Sequence, residues 1–408
     1  MRIVMAAAEI APYLDTSGLG TDVAALSASL ASRGHEVHAI APLPSAANAE
    51  AQSLARRLRP IRVAGPDGER SFVRYDGRTA AGIEVHLLDG TEPDGERGDD
   101  YWDAFGAASI EVVDSLGREG TWCVSWNAEC ASVPVRDREV GEGAGSHLFV
   151  VHRVDDAGLD RIDRALAASD RALIAGRATS DAFLSRGLRS LERMMKRGHA
   201  CGTTTPVPAS GEVHRSDKAS AKAALQATVC LQVRRDAPLV LFAEPVSDAL
   251  ASALSRFLRG DVQAVVTPGG DSTIDGLLER YPDRLARLHT VGPSNADLLA
   301  ADGVVVVSEP MLAARAMSRG AIPVTTVATA AEGVIDLEPS LASGSGFVAT
   351  DDTAPALAEA LTRLASAFQL GEPFTALSER VPRYTRTWND ASTLCEQLIG
   401  ITGDEARD

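Results

Sequence analysis

A chain of 408 residues is too long for one ordinary hydrophobic core and predicts two domains of about 200 residues each. Its apolar share of 45% with only 4% aromatics points to an interior of Ala, Val and Leu, suited to helices packed on parallel sheets rather than to a sandwich. A net charge of −16 argues against general binding to a phosphate backbone, and no apolar run is long enough to span a bilayer, so the sequence predicts a cytoplasmic protein with neither nucleic acid nor membrane as partner.

In chain order, the apolar run from Met1 is broken at Pro12, followed by two turn glycines, Gly18 and Gly20, and then a helical series through Val23, Leu26 and Leu30 that Gly34 stops. Val37 to Ala41 reads as the second strand. Pro60 to Val63, Phe72 to Tyr75 and Ile83 to Leu88 are short strands, and the acidic stretch from Asp89 to Asp100 is a surface loop. A helix from Asp103 to Leu116, a strand from Thr121 to Trp126, a strand from Phe149 to His152, a helix from Leu159 to Ala168 and a strand from Arg171 to Ala175 follow. Residues 198 to 220 form a compositional break rich in Gly, Thr and Pro. Alternation then restarts with strands at Leu239–Ala243, Val262–Val266, Leu288–Val291, Gly303–Val307 and Ala321–Thr326, a helix at Val246–Leu258, and terminal helices at Ala354–Phe368 and Ala391–Ile399. Two doubly wound parallel halves result, with domains expected at 1–205 and 206–380 and a last helical segment at 381–408.

Only Lys196, Lys218 and Lys222 are lysine among forty basic residues, so the first 195 residues cannot build a lysine clamp for a phosphate. Cys123, Cys130, Cys201, Cys230 and Cys395 are scattered and read as reduced thiols, with no spacing for a metal site.

The opening segment resembles the amino terminus of bacterial glycogen synthases and plant starch synthases. It keeps Glu9, Pro12, Thr16, Gly18, Leu19, Gly20, Asp22 and Arg33-Gly34-His35-Glu36-Val37, while Asp15 stands where that family uses a lysine against the sugar-nucleotide phosphates. Lys218 to Leu225, Arg280-Tyr281-Pro282-Asp283-Arg284, Arg319 to Val324 and Arg386-Thr387-Trp388 extend the resemblance along the chain. It implies a GT-B fold, two Rossmann-like lobes with an interlobe cleft, the final helix crossing back to the first lobe. It also implies metal-independent, retaining glucosyl transfer from a nucleotide sugar such as ADP-glucose or UDP-glucose to an α-glucan, with no other cofactor.

Such a transferase must stabilise a departing diphosphate with fixed cations and amide dipoles. The resemblance gives Gly18, Gly20, Gly269 and Gly270 to the donor-binding turns, His152 to the donor sugar and Glu309, of Glu309-Pro310, to sugar and ribose; counting back from Gly320 puts Val307 there instead. Ala243-Glu244-Pro245 stands where the family has Ser-Arg-Leu. A carboxylate about 4 Å from a phosphate oxygen costs about 4 kcal/mol at an effective dielectric near 20. Arg153 is the candidate compensating cation. Each position has a plainer reading: tight turns for the glycine pairs, a satisfied buried imidazole for His152, a helix-terminal acid for Glu309 and a solvated loop carboxylate for Asp15. Two functions follow, a divergent glucosyltransferase, or a catalytically degenerate protein that binds glucan or a partner enzyme.

Overall fold

The computed structural model describes residues 1–15, 18–44, 54–65, 68–90, 97–140, 145–152, 158–175, 188–203, 206–207, 215–268, 272–290, 292–330 and 333–400. It divides into two compact units, Met1–Thr203 with Thr387–Asp408, and Thr204–Arg386.

The first unit is a ten-stranded sheet: β1 (Arg2–Ala6), β2 (Glu36–Pro42), β3 (Ala55–Arg56), β4 (Ile61–Gly65), β5 (Gly68–Arg78), β6 (Glu84–Asp89), β7 (Thr121–Trp126), β8 (Ser146–Val151), β9 (Arg171–Ala175) and β10 (Ala200–Thr203). Its order is β10-β9-β8-β7-β1-β2-β6-β5-β3, with β4 also paired to β5. From β10 to β6 every ladder is parallel, while β5, β4 and β3 are antiparallel. The inner strands are buried on both faces, so β7 has no exposed residue and reads in sequence as a mostly apolar run, with only Thr121 and Ser125 polar.

The helix Leu19–Ser32 lays Val23, Leu26 and Leu30 into the core beside Ile3 and Met5. Gly18 at its start has φ 86°, and Gly34 just past its end has φ 92°, both in the left-handed region that favours glycine. The helix Trp388–Gly400 adds Trp388, Ala391, Cys395, Leu398 and Ile399 to the same core. Polar contacts fix it there: Ser29 Oγ donates to Asn389 Oδ1 at 3.0 Å, and Glu396 meets Arg33 Nη2 at 2.5 Å and His35 Nε2 at 2.9 Å.

The second unit holds a six-stranded parallel sheet in the order Leu285–Arg287, Gln263–Val266, Leu239–Phe242, Gly303–Val305, Ile322–Thr326, Phe347–Ala349. Lys218 and Lys222, one turn apart on the helix Arg215–Thr228, are spent on this scaffold. Lys218 Nζ donates to the carbonyls of Leu299 and Ala301 at 3.2 and 2.6 Å. Buried Lys222 pairs with Asp302 at 2.7 Å, and the same carboxylate oxygen accepts the Leu239 amide.

The structure departs from the sequence-based expectation in several elements. Ala200–Thr203 is a sheet strand where a break was expected, because Ala-Cys-Gly-Thr carries little strand signal and is placed by its ladder to β9. The strand expected at Leu288–Val291 lies earlier, at Leu285–Arg287, where Leu285 and Ala286 pair with Ala264 and Val265. Phe347–Ala349 and the helices Ser132–Val140, Arg189–Lys196 and Glu372–Arg380 were not anticipated. Among the described residues no helix is long and apolar enough to cross a membrane.

Candidate functional site

In the first unit the connections from β1 run outward through β2 to β6, and those from β7 run the other way through β8 to β10. The boundary between β1 and β7 is therefore a switch point, and the carboxyl ends of strands there are the usual ligand position of a doubly wound sheet. His152, directly after β8, reaches this place. Its backbone amide donates to Asn127 Oδ1 at 2.8 Å. Asn127 itself has φ 57°, a conformation that Asn accepts more readily than most residues.

The His152 imidazole packs against both Trp126 and Trp388, with ring centroids at 6.1 and 5.9 Å, and the two indoles meet at 5.3 Å. Asp22, in the first turn of Leu19–Ser32, closes the group: its Oδ1 accepts from the Trp388 indole at 2.7 Å, and its Oδ2 lies 3.3 Å from His152 Nε2. That second approach lacks hydrogen-bond alignment, and among the described residues neither ring nitrogen of His152 nor the Trp126 indole nitrogen has a hydrogen-bond partner. All four side chains are buried. Buried polar groups of this kind call for a water or a ligand to complete them.

The glycine loop beside this cluster is built for close approach. A Cβ on Gly20 would stand 2.2 Å from the Leu14 carbonyl oxygen and 3.0 Å from the Ala11 amide nitrogen, so the loop from Ala11 to Asp15 can lie on the helix only over a glycine. Exposed Asp15 accepts a hydrogen bond from the Thr21 hydroxyl in that helix's first turn. A carboxylate thus already lies where helix dipole and amides would favour an incoming anion.

The second unit repeats the arrangement with another carboxylate. Its switch point lies between Leu239–Phe242 and Gly303–Val305, and Glu244 follows the first of these. Glu244 is 5% exposed and accepts from three successive backbone amides: Val307 at 3.0 Å, Ser308 at 3.1 Å to each oxygen, and Glu309 at 2.5 Å. These amides lead into the helix Pro310–Ser318 and form an anion-binding nest. The chain fills it with its own negative charge. The Glu309 side chain is exposed at the start of that helix and makes no capping bond.

The buried cysteines of the first-unit core offer no nucleophile. Cys123, Cys130 and Cys395 are buried, and burial pushes the Cys123 and Cys395 thiols up to about 12 and Cys130 higher still.

A family model of the starch synthase catalytic domain matches residues 2–120. A glycogen synthase of Anaeromyxobacter dehalogenans is 29% identical over 197 residues, which cover 44% of this chain and 41% of that protein. Starch synthase 2, chloroplastic/amyloplastic, of Arabidopsis thaliana is 40% identical over 92 residues, covering 22% of this chain and 11% of that one. The chain therefore spans less than half the length of the curated relatives it matches. The catalytic domain of starch synthase IV from Arabidopsis thaliana, bound to ADP and acarbose, superposes with a TM-score of 0.79 over 98% of this chain and 99% of that one, at 17% identity. The fold is GT-B. The chain is similar in sequence to glycogen and starch synthases over part of its length, and in fold to a starch synthase catalytic domain.

Of the residues singled out in its sequence, the synthase-like chain brings Asp15, Gly18 and Gly20 together at one helix start and sets His152 in the buried Asp22–Trp126–Trp388 group. Glu309 reaches Glu244 through its backbone amide. Gly269, Gly270 and Arg153 lie outside the described residues. Sequence reasoning missed the partners. Asp22 and Trp388 were legible only as parts of the resemblance, and no signal tied Glu244 to amides more than sixty residues away.

Proposed function

We propose that this synthase-like chain no longer turns over nucleotide sugars and acts instead as a glucan-binding or regulatory protein on a glycosyltransferase scaffold. The observation that carries this reading is the Glu244 carboxylate in the amide nest before Pro310–Ser318. Where the synthases place cations, a departing diphosphate here would meet a fixed negative charge, and its amide donors are already taken. Asp15, held by Thr21, supports the same conclusion on the first unit. At an effective dielectric near 20, each such charge at about 4 Å opposes a phosphate by about 4 kcal/mol, enough to lower a rate by about three orders of magnitude.

The rival reading is metal-independent, retaining glucosyl transfer from a nucleotide sugar to an α-glucan. The buried His152 beside Asp22, at the carboxyl ends of the strands, favours it, and Arg153 would then supply the missing positive charge. The relative solved with ADP and acarbose supplies the ligand classes to test. Calorimetry with ADP-glucose and UDP-glucose, together with a transfer assay on glycogen, separates the two. Absence of nucleotide-sugar binding and of transfer, with retention on immobilised glycogen, is the expected result. Transfer that His152→Ala abolishes would sink it.

A further inference from the structure

At the amino-terminal edge of the first unit's sheet, away from the strand ends just described, two imidazoles face one another. His38 on β2 and Glu84 on β6 are register partners, and His86 follows Glu84 by two residues on the same face of β6. His38 Nδ1 lies 3.1 Å from His86 Nε2 and 3.5 Å from Glu84 Oε2, and one ligand atom from each of the three residues falls within 4.8 Å of the others. Both histidines are buried, at 3% and 2% exposure, while Glu84 is exposed.

The outer nitrogens determine what the inner ones offer. His38 Nε2 lies 3.1 Å from Glu36 Oε1, and His86 Nδ1 lies 2.8 Å from Asp76 Oδ1. Ionised carboxylates only accept, so each outer nitrogen carries the ring proton. Arg74 Nη2, 3.1 Å from His86 Nδ1, can donate to that nitrogen only when the ring proton sits on Nε2; the contact with Asp76 is shorter, at 2.8 Å, and with Arg74 Nε also donating to Asp76 at 2.6 Å it sets the proton on Nδ1. With neutral rings, the inner nitrogens present two facing lone pairs, and Glu84 adds a third. Such a group is repulsive unless a cation lies between its members.

We propose that His38, His86 and Glu84 form a binding site for a divalent transition-metal ion of the zinc class. Zinc–nitrogen bonds of 2.0–2.1 Å in a tetrahedron set donor atoms about 3.3 Å apart, and the observed 3.1 and 3.5 Å bracket that value. Two imidazoles and a carboxylate suit such an ion, and each imidazole has the carboxylate partner behind it that ligating histidines usually have. The fourth position would open to water, since Glu84 and His86 line a cavity of about 750 Å³ with Arg74 and Asp76. The bound ion would tie β2 to β6 and, through Asp76, to β5.

The test uses the full chain freed of metal by chelation, then titrated with zinc by calorimetry and with cobalt(II) by visible absorption. One ion per chain, a tetrahedral cobalt spectrum and a zinc-dependent rise in the thermal midpoint are expected. Asp76→Asn should weaken zinc binding by about 10–100-fold with its stoichiometry unchanged. His86→Gln should weaken it at least as much. Should that variant fail to fold, the exposed Glu84→Gln decides, with a loss of about tenfold or more on the same scale. Absence of zinc uptake by the parent chain, or an isotherm unchanged in either ligand variant, overturns the proposal and leaves a proton alone between the two rings.

Discussion

Both carboxylate oxygens of Glu244 lie 3.1 Å from the amide nitrogen of Ser308. The side chain that follows one central strand of the second unit therefore closes the loop that follows its neighbour, by the interaction a bound anion would make.

Replacing Glu244 by Ala should leave the amides of Val307, Ser308 and Glu309 without their shared acceptor. These donors are only part-buried and water can reach them, so their combined loss should be about 1–3 kcal/mol, the full penalty of a single buried donor. Urea unfolding should report a loss in that range, and inorganic phosphate at millimolar concentration should raise the thermal midpoint of Glu244→Ala more than that of the parent. Equal phosphate effects on the two proteins would show that the nest does not take an outside anion.

Trp388 offers a graded test of the first-unit cluster. Trp388→Ala removes one of the largest buried side chains and should destabilise the unit by about 3–5 kcal/mol. Trp388→Phe keeps most of the ring but removes the indole donor to Asp22, and should cost about 1.5–3 kcal/mol, the value of a hydrogen bond to a charged group. Asp22→Asn combined with Trp388→Phe should then cost less than the sum of the two single changes.

The two loop glycines should respond for different reasons. Gly20→Ala drives a methyl group into the Leu14 carbonyl, and overpacking against backbone costs about 1–3 kcal/mol or more. Gly18→Ala meets the left-handed φ of 86° and should cost about 1–2 kcal/mol. Denaturant midpoints rank the two, and a neutral Gly20→Ala would mean that the loop does not lie on the helix.

Glu396 carries an acid-dependent contribution. The hydrogen bonds from Arg33 and His35 hold its carboxyl at about 2, below the usual 4.5. A depressed carboxyl stabilises the fold above its unfolded value, and that stability is lost as pH falls from about 4.5 to 2. Its side chain is 30% exposed, so solvent screening limits the effect to about 1 kcal/mol or less. Between pH 5 and 3, Glu396→Gln should show a shallower fall in stability than the parent. Parallel curves for the two proteins would show that the pair contributes nothing.

The parallel sheets were legible because their inner strands are buried on both sides and leave short, mostly apolar runs, as in Thr121–Trp126 and Val37 to Ala41. Ala200–Thr203 was not, since a strand placed by backbone pairing along one edge needs no apolar signature. The candidate site divides the same way. Gly18 could be read locally because a left-handed turn demands that residue at that point. The anchoring of Glu244, the pairing of Asp22 with Trp388 and the meeting of His38 with His86 are contacts between distant segments, which only the folded chain defines.

Trp388 and the rest of the last helix complete a core whose other parts are encoded before residue 204, and the whole second unit intervenes. During translation the ribosome must add about 180 further residues after β10 before this indole exists, an interval of roughly 10–40 s at 5–20 residues per second. Until then Asp22 lacks its indole donor, and the nascent first unit leaves exposed the apolar surface that the last helix covers. The second unit has its entire sheet in one continuous stretch. Of the two units, the first starts earlier in the chain and closes later.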